Sequence, residues 1–176
     1  SHAFMGLSAG LDFETRLFAK YDVARLLEDA LRKSNYRVAP IALGTNTDPY
    51  QPIERELKLT AAVIDVLDSC NHPTTIVTKS AGILRDLDRL RSMAERGLVQ
   101  VGISVTTLDG TLSRLMEPRC SSPARRLEAI ARLSEAGIPV RVMASPMIPG
   151  LNDSELEVIL DRCREAGARA ASMIPL

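Results

Sequence analysis

Short apolar runs rich in β-branched residues alternate with amphipathic runs along the chain, and this alternation restricts the possible fold more than any other feature. Strands separated by helices are typical of repeated βα units that form a parallel sheet. The predicted fold class is therefore α/β. The strands are predicted at Arg37 to Leu43, Thr74 to Thr78, Val99 to Val105, Val140 to Met147 and Ala168 to Ile174.

Helices are predicted between these strands, where apolar residues recur at helical spacing. Residues 51–70 form the longest such run. Ser122 followed by Pro123 is a favourable start for another helix. The inward residues of that helix are predicted to be Leu127, Ile130 and Ala131. The remaining helices are predicted over 23–31, over 83–94 with an end near Gly97, and from a cap at Asn152 or Asp153 to Gly167.

The composition is that of an ordinary globular chain. Its 176 residues are enough for one domain or most of one, 45% of them are hydrophobic, and 22 basic residues balance 22 acidic ones. Without a basic excess, charge alone gives no reason to expect nucleic-acid binding. Every apolar run is too short for a membrane span or a signal peptide, so we expect a cytoplasmic protein that does not contact a membrane.

The three cysteines, Cys70, Cys120 and Cys163, lie too far apart in sequence for a disulfide framework or a compact metal site. Cys70 and Cys163 fall on the apolar stripes of predicted helices and are predicted to be core residues. Cys120 follows Glu-Pro-Arg in a polar segment, where exposure would leave its thiol open to reaction. No metal ligand is therefore assigned within the chain.

Polar side chains gather after the predicted strands, where α/β enzymes hold their ligands. The loop at 44–54 is the richest of these segments, although Asp-Pro and Gln-Pro are also typical of an ordinary turn. In a barrel, Lys79 and Arg119 would meet at one rim as donors for a carboxylate, with Asp48 as an acceptor for an ammonium group and hydroxyls such as that of Ser104 for a sugar. This set suits an amino acid joined to a nucleoside.

A series of segments carries a closer resemblance. They are Gly-Leu-Asp-Phe-Glu at 10–14, Gly-Thr-Asn-Thr-Asp-Pro-Tyr-Gln-Pro-Ile-Glu at 44–54, Ile-Val-Thr-Lys-Ser at 76–80, Ile-Ser-Val-Thr-Thr-Leu-Asp at 103–109, Glu-Pro-Arg at 117–119 and Ile-Pro-Gly-Leu-Asn-Asp at 148–153. In this order and spacing, the chain resembles the spore photoproduct lyase-like (DNA repair photolyase-like) branch of the radical S-adenosylmethionine (SAM) superfamily. The resemblance implies part of a (β/α)6 partial TIM barrel of radical SAM type.

The resemblance also implies an activity. Members of this family hold a [4Fe-4S] cluster and cleave SAM reductively to a 5'-deoxyadenosyl radical, which abstracts hydrogen from a substrate. An enzyme of lyase or oxidoreductase type is implied, together with a reductant protein such as flavodoxin or ferredoxin. The substrate stays open, with nucleic acid among the candidates, because kinship of fold does not fix function.

Individual residues match the family at the SAM site. Thr47 and Asp48 resemble the loop that receives the SAM ammonium group, and Lys79 resembles the residue that reaches its carboxylate. Ser104 resembles the polar contact to SAM from the family's fourth strand. The other implied cofactor-binding residues are Arg119, as a second carboxylate partner, and Ile148 and Gly150, as the backbone that lies against adenine. Each of these residues also has an ordinary structural interpretation, as a rim lysine, a strand hydroxyl, a surface ion pair or a turn.

The cluster ligands of the family are missing from the sequence. The family uses three cysteines in the pattern Cys-x3-Cys-x2-Cys after the first barrel strand, and this pattern does not occur between Ser1 and Leu176. We therefore expect residues 1–176 to be a partial radical SAM core domain, cut before the first strand and cluster loop and within or after the last strand. Such a piece would be inactive alone.

Two other functions stay open at this point. The first is a cluster-free (β/α) barrel lyase or aldolase that uses Lys79 as a Schiff-base amine. The second is a non-catalytic barrel fragment that binds a partner.

Overall fold

A five-stranded, all-parallel sheet forms the centre of the fold in the computed structural model, which describes Gly6 and residues 16–176. The strands follow one another across the sheet in chain order. They are β1 Ile41–Leu43, β2 Thr74–Thr78, β3 Val99–Ser104, β4 Val140–Met147 and β5 Ala170–Pro175. The predicted α/β class with parallel βα repeats is confirmed, and the carboxyl ends of all five strands meet at one edge of the sheet.

Helices occupy the connections between successive strands, because parallel neighbours need a crossover. The α-helices are α1 Val23–Leu31, α2 Glu54–Leu57, α3 Leu59–Ser69, α4 Leu87–Glu95, α5 Gly110–Met116, α6 Pro123–Glu135 and α7 Leu156–Glu165. Short 3₁₀ helices cover Ala81–Asp86 and Asp153–Glu155. The helices predicted before β1, between β2 and β3, after Ser122 and between β4 and β5 are confirmed in position. Helix α5 was not predicted.

The predicted helix over 51–70 is interrupted. Lys58 adopts a left-handed backbone with φ of 52°, and this residue separates α2 from α3. Glu54 stabilises the break because its carboxylate accepts a hydrogen bond from the Thr60 N–H at 3.0 Å, while the Thr60 hydroxyl donates to the Pro49 carbonyl. The segment 54–60 contains neither Gly nor Pro, so the apolar spacing alone led to the wrong prediction of one continuous helix.

The start of β1 and the presence of α5 also differ from the prediction. β1 begins at Ile41 rather than at Arg37, and Val38 is 69% exposed, so the first apolar residues of that run lie outside the sheet. Helix α5 starts after Asp109, whose carboxylate accepts hydrogen bonds from the N–H groups of Thr111 and Leu112. Asp followed by Gly is an acceptable cap, and this was the signal from which α5 could have been predicted.

The core is formed by the sheet and the helices packed on it. In the central strand β3, five of six residues are buried, as expected for a strand covered on both faces. Cys163 is fully buried in this core, and burial raises the pKa of its thiol to about 12, which confirms its predicted place. The same prediction for Cys70 is wrong, because this residue follows the last turn of α3 and is exposed.

Candidate functional site

A cleft of about 1390 Å³ opens at the edge of the sheet where the strands end. Its walls come from the loops after β1 and β2, the end of β3 and the segment that joins α5 to α6. Five of the seven predicted cofactor-binding residues line this cleft: Thr47, Asp48, Lys79, Ser104 and Arg119. The strand order therefore brings together residues that are far apart in sequence.

Asp48 joins two walls of the cleft. Its Oδ1 accepts hydrogen bonds from the Tyr50 N–H at 2.8 Å and from the Thr78 hydroxyl at 2.7 Å, and its Oδ2 accepts one from the Lys79 N–H at 2.8 Å. A carboxylate has about four acceptor positions. The three bonds fix the loop after β1 against the end of β2 and leave one position on Oδ2 for a ligand donor.

The loop after β1 approaches β2 very closely at Gly44. Its φ is +93°, and a Cβ atom at this residue would lie 1.9 Å from the carbonyl oxygen of Val77. Only glycine tolerates both the backbone angle and the lack of space. Gly44 therefore sets the position of the loop that carries Thr47 and Asp48.

Lys79 is held by an ion pair at the wall of the cleft. Its Nζ lies 2.6 Å from Oε1 of Glu117, and the Lys79 side chain is 33% exposed, whereas that of Glu117 is 7% exposed. Glu117 follows α5, and the sequence predicted it as a polar residue of the rim without an ion-pair partner. Since an ammonium group has three donors, two N–H bonds of Lys79 remain for a ligand.

Arg126 lies behind this ion pair, in the interior, and contacts Glu117 from there. Its Nη2 lies 2.5 Å from Oε2 of Glu117, its Nη1 donates to the Ser104 carbonyl at 3.0 Å, and its Nε donates to the Ser121 carbonyl at 2.7 Å. The Arg126 side chain is only 2% exposed. It therefore ties the end of β3 to the segment that carries Arg119 and Cys120.

Arg126 was not predicted as a site residue because the inward face predicted for α6 was wrong. Ile130 is buried as predicted, but Leu127 and Ala131 are only half-buried, and Arg126 and Leu133 lie fully inside. The spacing of Arg126, Ile130 and Leu133 is that of a helical stripe. An arginine on such a stripe was the available signal for a buried ion pair.

Charges in the cleft set the ionisation of two groups. Burial alone would raise the pKa of Glu117, but the hydrogen bonds and positive charges of Lys79 and Arg126 outweigh burial and lower it. The pKa of Cys120 is raised, first by burial of its thiol and then by the negative charge of Glu117. Cys120 is exposed as a residue, but its partly buried thiol is less ionised than an ordinary one.

Ile148 and Gly150 lie at the same edge of the sheet but outside the lining of the cleft. Their loop is shaped by Asn152, which is fully buried. The Asn152 amide donates to the carbonyls of Thr106 at 2.7 Å and Pro146 at 3.1 Å, and its Oδ1 accepts from the Ile148 N–H at 2.6 Å. The loop after β4 is therefore fixed against the end of β3.

The cleft is richer in basic groups than the chain as a whole. Its lining includes six basic and three acidic residues, whereas the whole chain has equal numbers. The basic residues are Arg55, Lys79, Arg85, Arg119, Arg125 and Arg132, and the acidic ones are Asp48, Glu117 and Glu128. Such an excess favours a carboxylate or a phosphate in the cleft.

The described residues do not fit an iron–sulfur cluster. Cys70 ends α3, Cys163 lies in the core and Cys120 alone lines the cleft, so no two of them belong to one loop. Over Gly6 and residues 16–176, the structure contains no group of three His, Cys, Asp or Glu side chains that could hold a metal ion. A cluster needs several thiolates in close array.

Similarity to known proteins agrees with this geometry. The family model of the radical SAM superfamily matches residues 13–163, which is most of the chain. The chain therefore belongs to the radical SAM superfamily. Two curated relatives are similar in sequence: the uncharacterized protein Rv2578c of Mycobacterium tuberculosis is 34% identical over 178 residues, and the uncharacterized protein MJ0683 of Methanocaldococcus jannaschii is 32% identical over 125 residues.

The match covers all of this chain and 52% of the Mycobacterium tuberculosis protein, and 71% of this chain and 47% of the Methanocaldococcus jannaschii protein. The chain thus spans about half the length of these relatives.

Solved structures share the fold. Streptococcus suis SuiB bound to S-adenosylmethionine matches with a TM-score of 0.63 and 18% identity, over 86% of this chain and 33% of that one. A mutant of spore photoproduct lyase matches with a TM-score of 0.62 and 15% identity, over 89% of this chain and 46% of that one. These likenesses support the partial-barrel architecture that the strand order defines.

Among the described residues, no helix is both long and apolar enough to cross a membrane.

Proposed function

We propose that this chain supplies the SAM-binding part of a radical SAM enzyme of the spore photoproduct lyase-like branch. One observation carries the proposal: residues from three successive strand ends, Asp48, Lys79 and Ser104, line a single cleft that offers a cation for a carboxylate and an acceptor for an ammonium group. SuiB, which has a similar fold, binds SAM. In this reading, SAM is cleaved reductively to a 5'-deoxyadenosyl radical that abstracts hydrogen from a substrate.

The cleft residues would divide the binding of SAM between them. Lys79 and Arg119 would receive the carboxylate, and the free acceptor position of Asp48, with the neighbouring Thr47, would receive the ammonium group. Ser104 would contact SAM from the end of β3. The backbone at Ile148 and Gly150, next to the cleft after β4, would lie against adenine.

The remaining parts of the enzyme would come from elsewhere. We propose that the cluster is bound by cysteines outside residues 1–176, that this stretch alone does not cleave SAM, and that a cytoplasmic flavodoxin or ferredoxin supplies electrons. The basic lining suits an anionic substrate, and nucleic acid is one such class.

The alternative of a Schiff-base lyase receives less support. It requires Lys79 as a free amine, whereas the Lys79 Nζ is engaged at 2.6 Å by the buried Glu117. Borohydride trapping of a carbonyl compound on Lys79 would favour this alternative over SAM binding.

Equilibrium binding tests the proposal directly. We expect SAM to bind the 176-residue chain, and we expect Lys79→Met to weaken that binding about tenfold because a charged hydrogen bond to the carboxylate is lost. Arg91→Gln is a matched control, since Arg91 is a partly exposed cation on α4 outside the cleft. The proposal is wrong if SAM does not bind at millimolar concentration, or if Lys79→Met and Arg91→Gln behave alike.

Radical chemistry needs a separate test. A longer natural chain that contains the Cys-x3-Cys-x2-Cys loop, reconstituted with iron and sulfide and reduced with dithionite, should form 5'-deoxyadenosine from SAM. The 176-residue chain treated in the same way should form none. Production of 5'-deoxyadenosine by the shorter chain would contradict the proposed division of the enzyme.

A further inference from the structure

A chain of three charged groups leads from the interior to the wall of the cleft. Arg126 is 2% exposed, Glu117 is 7% exposed and Lys79 is 33% exposed. Glu117 contacts both cations, through Oε2 to Arg126 at 2.5 Å and through Oε1 to Lys79 at 2.6 Å. Only Lys79 and Glu117 line the cleft, and Arg126 lies behind them.

A ligand in the cleft interacts with the sum of the charges of Arg126, Glu117 and Lys79. Without Arg126, the carboxylate of Glu117 would cancel the charge of Lys79, and this pair would carry no net charge. Because Arg126 cancels Glu117 instead, the three groups together carry one positive charge, and Lys79 presents that charge at the surface. Charges a few ångströms apart in a partly buried setting interact more strongly than they do in water, so Arg126 acts on the wall although it does not reach it.

The surroundings keep these groups in place. Arg126 donates two further hydrogen bonds to the carbonyls of Ser104 and Ser121, so its guanidinium cannot rotate away without breaking both of them. The Ser121 N–H in turn donates to the Lys79 carbonyl at 3.3 Å. Hydrogen bonds to backbone groups of the cleft wall therefore fix the Arg126 side chain and the Lys79 backbone.

We propose that Glu117 and Arg126 are positioning residues that set how strongly Lys79 selects a ligand carboxylate. Glu117 holds the ammonium group at the wall, and Arg126 prevents Glu117 from neutralising it. This inference rests on the proposed binding of SAM in the cleft, and it adds a determinant of selectivity that does not itself touch the ligand.

The test compares SAM with decarboxylated SAM, which keeps the sulfonium and ammonium groups and lacks only the carboxylate. The quantity measured is the selectivity, defined as the Kd of decarboxylated SAM divided by the Kd of SAM. Changes in general packing or in the adenosine site affect both ligands equally and leave this ratio unchanged. The ratio therefore reports the charge that the carboxylate meets.

The expected ratios follow the sum of the charges. Arg126→Gln leaves Lys79 neutralised by Glu117, so the selectivity should fall about tenfold. Glu117→Gln removes the negative charge and should raise the selectivity. The double variant Glu117→Gln with Arg126→Gln restores a single positive charge and should return the ratio to within about twofold of the wild-type value.

Several outcomes would overturn the inference. A purely structural role predicts that all three variants weaken both ligands in parallel with no change in the ratio, or that the double variant is the worst of the three. If Arg126→Gln does not fold, Arg126→Lys, which should keep the ratio, and Glu117→Gln, which should raise it, decide the matter by themselves. A fall in selectivity in Glu117→Gln contradicts the inference.

The wild-type chain separates this inference from the proposed function. If it binds SAM and decarboxylated SAM equally, the positioning role is wrong while SAM binding stands. If it binds neither ligand at millimolar concentration, the proposed function and this inference are both wrong.

Discussion

The carboxylate of Asp48 accepts a hydrogen bond from the backbone N–H of Lys79 at 2.8 Å, and this bond joins the loops that follow β1 and β2. The two residues proposed to bind the ammonium and carboxylate groups of SAM, which share one carbon atom, are thereby held at a fixed separation before any ligand arrives. Preorganisation of this kind lowers the entropy that a ligand must lose on binding. The Asp48 carboxylate consequently has a structural role in addition to its proposed role in binding.

Asp48→Ala should destabilise the fold by about 2–3 kcal/mol, because the N–H groups of Tyr50 and Lys79 and the Thr78 hydroxyl lose their acceptor. Urea unfolding followed by circular dichroism measures this change. Asp88→Ala is the control, since the Asp88 side chain is 97% exposed. Equal stabilities of the two variants would refute the structural role of Asp48.

Gly44→Ala should destabilise the fold by about 3 kcal/mol or more. The φ of +93° alone costs a non-glycine residue about 1–2 kcal/mol, and the new Cβ would overlap the Val77 carbonyl. Gly110→Ala is the matched control, because Gly110 begins α5 without a positive φ, and a Cβ there would meet only the Arg114 guanidinium at an ordinary contact distance of 3.7 Å. Alanine is expected to be neutral or slightly stabilising there. A Gly44→Ala protein as stable as the control would show that the loop after β1 has another position in solution.

Asn152→Ala should cost about 1–3 kcal/mol, because the fully buried amide serves the carbonyls of Thr106 and Pro146 and the N–H of Ile148. Amide hydrogen exchange should accelerate at Ile148 more than in the core strands, since the bond lost is local. The control is Asn35→Ala at an exposed position between α1 and β1. Unchanged exchange at Ile148 would contradict the role assigned to Asn152.

The sequence-based predictions were accurate for the strands and their order, but they missed contacts between individual side chains. Strand positions followed from β-branched apolar runs, and the order of strands then brought Asp48, Lys79 and Ser104 to one cleft. The break at Lys58 was missed because no Gly or Pro marks it, and it depends on a hydrogen bond from the Thr60 N–H to the Glu54 carboxylate. The ion pairs of Glu117 were missed for a related reason, since one partner lies on the next helix and the other follows β2.

Stability at acid pH should report the ion pairs of Glu117. The pKa of this carboxyl is lowered in the folded protein, so its stabilising contribution is complete above the pKa of the unfolded chain, near pH 4.3, and is lost as the pH falls through the lower pKa of the folded state. Unfolding free energies measured from about pH 3 to pH 7 should therefore decrease on acidification. Glu117→Gln lacks the titrating group, and its difference from the wild type should be constant above about pH 5 and shrink below about pH 4. A difference that stays the same over the whole range would mean that Glu117 titrates alike in the folded and unfolded chains, and that Lys79 and Arg126 do not hold its charge.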